Sequence, residues 1–280
     1  MRKIILSMFR TIVKPFWGSG ISKFYPIKVG FNFLFSHLKN TKDIADVQGH
    51  KMFLDSKDSL KLSMFGIYEP FETELFKKEI KKNDVVLDIG ANIGYYTLIA
   101  AKLVGKNGRV YAFEPDPNNF ALLKKNIEIN GYKNVILVQK AVSNKSKKLK
   151  LYLCEDNKGD HRVYDSHDGR QSIEIEAIKL DDYFKEYNGR INFIKMDIQG
   201  ADSVLQKNKN LRITTEFWPI GLKRFGIEPK EYLKLLLGQG FKLYNINEQE
   251  KRIEPVNALT LLKTCTVEKE TNLLCIRKNN

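Results

Sequence analysis

The chain is poor in cysteine and has no long apolar run, and each shortage excludes something. Its 280 residues hold three cysteines, Cys154, Cys265 and Cys275, none of them in a CxxC pair. They cannot all pair with one another, so a secreted disulfide scaffold is excluded and reduced thiols of a cytoplasmic protein are expected. No stretch approaches the roughly 20 apolar residues of a membrane-spanning helix, so no such helix is expected. Acidic residues are missing from Met1 to Lys42, which carries eight Lys or Arg, so the remaining 238 residues hold only +6 of the net +14. What is present suits a folded chain, with 42% hydrophobic and 29% charged residues, 17 Phe and 12 Tyr. Disorder is excluded and a sizeable core is affordable.

The basic segment also carries Phe9, Phe16, Trp17, Phe24, Tyr25, Phe31, Phe33 and Phe35. Cations interleaved with rings suit an anionic membrane surface, where rings sit among headgroups. They also suit single-stranded nucleic acid, the less favoured reading. The plainest expectation is a helical appendage over residues 1–50 whose rings pack on the main domain and whose charges are solvated. Peripheral contact with the inner face of a membrane through residues 1–42 stands beside it. Lys14 and Pro15 interrupt the first apolar run and no small-residue cleavage site follows, so no cleaved signal peptide is expected.

From residue 51 the pattern becomes regular. Glu69-Pro70 opens a helical stretch, and Val85 to Ile89 is a short apolar run of the kind a buried parallel strand shows. Gly94 to Val104 is apolar nearly all round, as a helix buried against a sheet should be. Arg109 to Phe113 reads as a second strand, Asp116-Pro117 as a helix start with Gly131 closing it, and Val135 to Val142 as a third strand. This alternation predicts a doubly wound α/β sheet. Residues 148–153 and 172–178 alternate like a β-ribbon, an insert over about 148–178 enclosing a polar loop. Buried strands are expected at Ile191 to Ile198 and Leu211 to Phe217, and a helix at Pro229 to Leu237. Phe241 to Ile246 and Thr271 to Arg277 read as an antiparallel hairpin at one edge.

Ligands of such sheets bind at the carboxyl ends of the strands. Three polar signals stand there. In Asp88-Ile-Gly90-Ala-Asn92-Ile-Gly94 the glycines allow a sharp turn and close backbone approach before a helix N-terminus. Asn92 replaces the middle glycine of the dinucleotide fingerprint, which favours a phosphate-free nucleoside over NAD. Glu114 lies 26 residues beyond Asp88, at the end of the next strand, where a carboxylate can accept bonds from both ribose hydroxyls. Lys195-Met-Asp197-Ile-Gln199-Gly200 ends the fourth parallel strand, facing the reactive end of anything held there.

These blocks, Asp88 to Thr97, Tyr111 to Pro117 and Phe193 to Ala201, together with Thr271 to Leu274, resemble the FkbM-type S-adenosylmethionine-dependent methyltransferases. The resemblance runs from about Lys51 to Arg277 and makes 51–280 the methyltransferase domain. It implies a seven-stranded class I methyltransferase sheet with its last strand antiparallel. It further implies S-adenosyl-L-methionine as cofactor and O-methylation of a hydroxyl on a glycan, glycolipid or related small metabolite. On these positions Asp88, Gly90, Asn92, Gly94 and Tyr95 are expected at the methionine end of the cofactor, Glu114 at the ribose with Asp116 close by, and Lys140 and Ala141 at the adenine edge. Two departures stand out: Gln199 replaces the usual Glu, and residues 201–210 are shorter than usual, so the helix there is expected to be stunted.

A sugar hydroxyl is a weak nucleophile, and a general base assists its methylation. Asp197 is the first candidate, His161 the second, and Glu216 a third group facing the same cleft. The loop with Asp160, His161, Asp165, His167 and Asp168 also admits a metal reading, but a solvated or substrate-covering loop is preferred and no metal is expected. Two alternatives belong to other classes. A non-catalytic S-adenosylmethionine-binding homologue is suggested by the short segment after Gly200. An RNA methyltransferase is suggested by the charge and opposed by Asp-Ile-Gln-Gly, which lacks the Asn-Pro-Pro-aromatic run that grips an exocyclic amine. Thr264-Cys265 superficially suggests a base-methylating nucleophile and is assigned to packing instead. No specific nucleic-acid partner is expected.

Overall fold

The computed structural model describes residues 44–196, 207–266 and 269–277. The expected appendage up to residue 43, Asp197 to Gly200 and most of the 201–210 segment lie outside the described residues. The described chain begins with a hairpin, β1 (Ala45–Val47) and β2 (His50–Met52), then α1 (Leu62–Phe65) and α2 (Pro70–Glu79). There follow β3 (Val85–Ile89), α3 (Tyr95–Val104), β4 (Arg109–Phe113), α4 (Pro117–Ile129) and β5 (Val135–Val138). The insert comprises β6 (Ala141–Val142), β7 (Lys147–Tyr152) and β8 (Ser172–Ile178), with α5 (Leu180–Tyr183) and β9 (Phe193–Met196) after it. The last part runs β10 (Arg212–Phe217), α6 (Pro219–Arg224), α7 (Pro229–Gly238) and β11 (Lys242–Asn247). It ends with β12 (Arg252–Pro255), α8 (Ala258–Thr264) and β13 (Thr271–Ile276).

The main sheet has the order β12-β11-β13-β10-β9-β3-β4-β5. Its β5-β4-β3-β9-β10 half is parallel, and β13 runs antiparallel to both β10 and β11. Side chains alternate across each parallel strand, so both faces must be covered by apolar groups. Leu87, Ile89, Tyr111, Phe113, Ile194 and Met196 fill one face against Leu180, Leu233 and Leu261. Val86, Val110, Ala112 and Phe193 fill the other against α3, with Val47 and Met52 of the first hairpin in the same cluster. Eight of the ten residues of α3 are buried, which explains its apolar circumference.

The α/β class and the antiparallel last strand are as expected, with four differences in detail. Among the described residues the sheet has eight strands where seven are expected, because Asn247 Oδ1 accepts from the N–H groups of Gln249 and Glu250 and folds residues 252–255 back as an edge strand. The expected edge hairpin of the last two strands is instead an internal pair: β13 lies between β10 and β11. A helix missed in the sequence, α8, precedes β13, capped by Asn257 Oδ1 on Thr260 N at 2.9 Å. The expected third strand breaks after Val138, where Lys140 N turns back onto Val138 O at 2.9 Å. Ala141 and Val142 then join β8 in a separate three-stranded sheet.

Asn126 on α4 ties the first hairpin to the sheet's helical layer. Its Oδ1 accepts from Phe53 N at 2.7 Å, and its Nδ2 donates to Phe53 O at 3.0 Å and Ile93 O at 2.8 Å. The residue is fully buried, so truncation strands those backbone groups away from water. Asn126→Ala is therefore expected to lower the unfolding free energy by about 2–4 kcal/mol in urea titration. A loss under about 0.5 kcal/mol, the range of an ordinary surface change, would show that the tie contributes little.

Candidate active site

The carboxyl end of β3 leads into Gly90, Ala91 and Asn92, and the loop is clasped to β4. Phe113 O accepts from Gly90 N at 3.0 Å and Ala91 N at 2.9 Å. Glu114, one residue further, completes the clasp: Oε2 accepts from Asn92 N at 2.7 Å and Oε1 from Asp116 N at 2.9 Å. Burial pushes the Glu114 carboxyl up to about 7, against the two backbone N–H groups that favour its charged form, with Asp116 and Asp88 adding to the rise.

Above Glu114 lies a cleft of about 690 Å³ that is open to solvent. Its walls bring together Gly90, Asn92, Glu114, Lys140, Ala141 and His161 of the predicted residues. Gly90 sits at φ 78° with no atom within 4 Å of where a Cβ would stand, so any side chain there would enter the open cleft. Asn119, Lys158, Gly159 and Phe225 also line the cleft and were not singled out from the sequence. Asn119 carries a recognisable signal, two residues into the helix after Asp116-Pro117; Lys158 and Gly159 arrive only because the insert loop folds over. That loop is pinned by Lys158 N donating to Ser59 Oγ at 2.8 Å and Asn119 Nδ2 donating to Lys158 O at 3.0 Å.

Four predicted residues stand behind this wall rather than on it. Asp88 is 1% exposed and its Oδ2 accepts the Thr97 hydroxyl at 2.5 Å. Burial raises its carboxyl, opposed first by the charge of Lys195 and then by Thr97. Gly94 holds φ 95° and lies so close to α4 that an added Cβ would meet Leu123 Cδ1 at 2.7 Å. Tyr95 is buried, its hydroxyl 3.1 Å from Thr73 Oγ1. Asp116 caps α4 through Oδ1 on Asn119 N at 2.7 Å. Its buried Oδ2 has no hydrogen-bond partner among the described residues and lies 4.0 Å from His161 Nε2.

His161 Nδ1 accepts from Cys154 N at 3.0 Å, and burial holds its pKa below the ordinary value, opposed by Asp116. With Nδ1 accepting, a neutral ring carries its proton on Nε2, on the Asp116 side. The carboxylates of the same loop are taken by arginines. Asp160 receives Arg162 at 3.0 Å and Arg170 at 2.9 Å, and Asp168 receives Arg170 at 2.8 Å. Cys265 is buried and packs in the core with Leu261, and burial raises its thiol. Asp197 lies outside the described residues.

Glu216, at the end of β10, lines a second cavity of about 450 Å³ with Glu69, Lys195, Thr214 and Asn272. The two cavities flank the ends of β3 and β9, where Asp88 and Lys195 are register partners.

The sequence profile of the FkbM methyltransferase domain matches residues 88–243. That span is more than half of the chain and contains both the clasp and the insert, and the chain belongs to the FkbM methyltransferase family. The hexuronic acid methyltransferase AglP of Haloferax volcanii is 27% identical over 166 residues, 58% of this chain and 65% of that protein. Protein-L-isoaspartate O-methyltransferase 1 of Archaeoglobus fulgidus is 33% identical over 60 residues, 21% of this chain and 28% of its own length. The chain thus spans less than two thirds of either relative. Among solved structures, a SAM-dependent O-methyltransferase of Thermotoga maritima superposes with a TM-score of 0.43 at 13% identity, covering 86% of this chain and 80% of that one. No described helix is long and apolar enough to cross a membrane.

The raised Glu114 carboxyl has a signed consequence. Its folded pKa of about 7 exceeds the ordinary 4.5, so below about pH 4.5 both states hold the proton and the group costs nothing. Between about 4.5 and 7 the unfolded chain loses the proton first, and stability falls as pH rises. Glu114→Gln does not titrate, so the stability of the wild type relative to this variant should decline across that window by an amount on the order of 3 kcal/mol. Denaturant titrations of both proteins at pH 4.5 and 8 measure it. A difference independent of pH would mean that Glu114 ionises normally.

Proposed function

We propose that the protein transfers a methyl group from S-adenosylmethionine to a hydroxyl of a glycan, glycolipid or related small metabolite. The observation that carries this reading is the buried Glu114 at the floor of a cleft whose rim is the Gly90–Asn92 loop. The residues present fit the cofactor. Glu114 keeps lone pairs free on both oxygens beyond the two backbone bonds, enough for a pair of ribose hydroxyls. The open space over Gly90 admits a ligand against bare backbone, and Lys140 and Ala141 line the same cleft. When bound, the cofactor supplies an electrophilic methyl group on a cationic sulfur. The chain's own residues bind and orient: the insert loop around Lys158 and Gly159 forms part of the cleft wall. His161 serves there as a positioning group, holding the loop to Cys154 and facing Asp116.

The acceptor class is supported by family membership and by the relative whose name describes methylation of a hexuronic acid. Glu216 belongs to the acceptor side, because it lines the second cavity rather than the cofactor cleft. Asp197 remains our candidate for a further group at that side, and peripheral membrane contact through residues 1–42 remains a proposal for the acceptor's delivery.

Calorimetry with S-adenosylmethionine tests the cofactor. Micromolar binding to the wild type should be weakened at least about a hundredfold by Glu114→Ala, since the change removes both ribose bonds, each charge-assisted and worth about 1.5–3 kcal/mol. Its clasp is lost as well, so the folded state of the variant is checked by its melting. Equal affinity in a folded variant would place the cofactor elsewhere.

A further inference from the structure

Helix α2 begins in an unusual way. Glu69 occupies its N-cap position at φ 40° and ψ 74°, a left-handed conformation for a residue with a side chain, and that side chain makes no capping bond. The cap's work is done from elsewhere: Glu248, just past β11, accepts from Phe71 N at 2.9 Å and Glu72 N at 3.0 Å. Glu69, in the position that normally satisfies these N–H groups, is thereby released. Its carboxylate turns to the second cavity instead, where Tyr96 Oη donates to Oε2 at 3.3 Å.

The lining of that cavity carries an independent sign of a ligand. Thr214 is 1% exposed and lines the cavity, and its Oγ1 has no hydrogen-bond partner among the described residues. Buried hydroxyls in folded proteins are paired, and a hydroxyl of a bound molecule would complete this one. Lys195 reaches the same cavity, its Nζ 4.8 Å from the centre of the Tyr96 ring. Through its register partner Asp88 it adjoins the loop that rims the cofactor cleft.

Resting on the methyl-transfer reading above, we propose that the second cavity is the acceptor site, where a sugar hydroxyl pairs with Thr214 Oγ1 and yields its proton to Glu69. As the acceptor oxygen bonds to the methyl carbon, the carbon–sulfur bond breaks and its electron pair stays on sulfur. The hydroxyl proton passes to a Glu69 carboxylate oxygen and from there to solvent. Burial raises the Glu69 carboxyl, Lys195 lowers it, and Glu248 raises it again. The net rise makes it a better proton acceptor near neutral pH than an ordinary carboxylate. Asn272 and Glu216 complete the polar lining of a cavity suited to a polyhydroxylated ring.

The test compares Glu69→Gln and Thr214→Val with the wild type by three measurements: melting of the ligand-free protein, calorimetry with S-adenosylhomocysteine, and transfer of radiolabelled methyl from S-adenosylmethionine to a glycan and glycolipid extract of the native cells. Both variants should melt no lower than the wild type, since one loses a buried charge and the other a buried unpaired hydroxyl. Both should bind S-adenosylhomocysteine within about twofold of the wild type. Glu69→Gln should lose roughly 10² to 10⁴ in turnover. Thr214→Val should raise the KM for the extract about tenfold with kcat kept, the effect of losing one hydrogen bond. Variants that melt lower and lose cofactor affinity in proportion would make both residues structural and overturn the proposal, as would undiminished transfer. A wild type that binds no S-adenosylhomocysteine, or binds it and transfers nothing, overturns the methyl-transfer reading itself.

Discussion

The geometry of the cleft at the ends of β3 and β4 depends on one buried carboxylate. Glu114 grips the backbone of the loop after β3 with one oxygen and the start of α4 with the other. Phe113 O already holds the first of these loops to the end of β4 and Asn126 Nδ2 holds Ile93 O to α4, and Glu114 adds the one side chain that bonds both backbones at once. Backbone N–H groups make good partners for a charged carboxylate. Here they do not offset its removal from water, which is why its carboxyl rises to about 7. A group held this way has lone pairs left over, and a ligand that donates to them would complete its coordination.

A second constraint acts at the far side of the sheet. Helix α2 is fastened to the last strands by side chains rather than by packing alone: Glu248 caps its start and Asn272 Nδ2 donates to Glu72 Oε2 at 2.5 Å. At its other end, Arg212 bonds the carbonyl of Glu79 and pairs with Asp84 at 2.8 Å. These contacts join residues 71 and 248 across most of the described chain. They set the second cavity between α2 and the ends of β9 and β10, and they fix the left-handed turn at Glu69 that would otherwise relax toward an ordinary cap.

The parallel half of the fold was legible because its rules are local. A run such as Val85 to Ile89 buries both faces, Asp116-Pro117 signals a cap and first turn, and Gly131 marks an end; each depends on neighbours within a few residues. The edge strand β12 and the break after Val138 were not legible, because both are decided by turns whose hydrogen bonds close only in the folded chain. The site divides in the same way. Gly90, Asn92 and Glu114 stand at strand ends that periodicity locates. Asp88 has the same sequence signature, yet its side chain is directed to Thr97, nine residues on, a direction that spacing does not reveal. In the sequence Glu69 signals only the start of a helix. The cue that it was more, a long acidic side chain where Ser, Thr, Asp or Asn is favoured, gains meaning only once Glu248 is seen to do the capping.

The charge distribution makes the same point at larger scale. The chain carries a net +14, but eight of its cations lie in the first 42 residues, while the carboxyl ends of the parallel strands gather Asp88, Glu114 and Asp116, with Glu69, Glu72 and Glu216 at the second cavity. Among the described residues Lys195 is the one cation lining that second cavity. Buried acids in such number raise one another's carboxyls, as Asp88 and Asp116 do to Glu114 and Glu248 does to Glu69. A basic protein with an acidic centre is ill suited to hold a polyphosphate at those strand ends, where like charges would meet in low dielectric. A cationic ligand relieves the repulsion. The sulfonium and ammonium groups of S-adenosylmethionine are of that kind, so the electrostatics of the centre and the family of the chain favour the same cofactor on separate grounds.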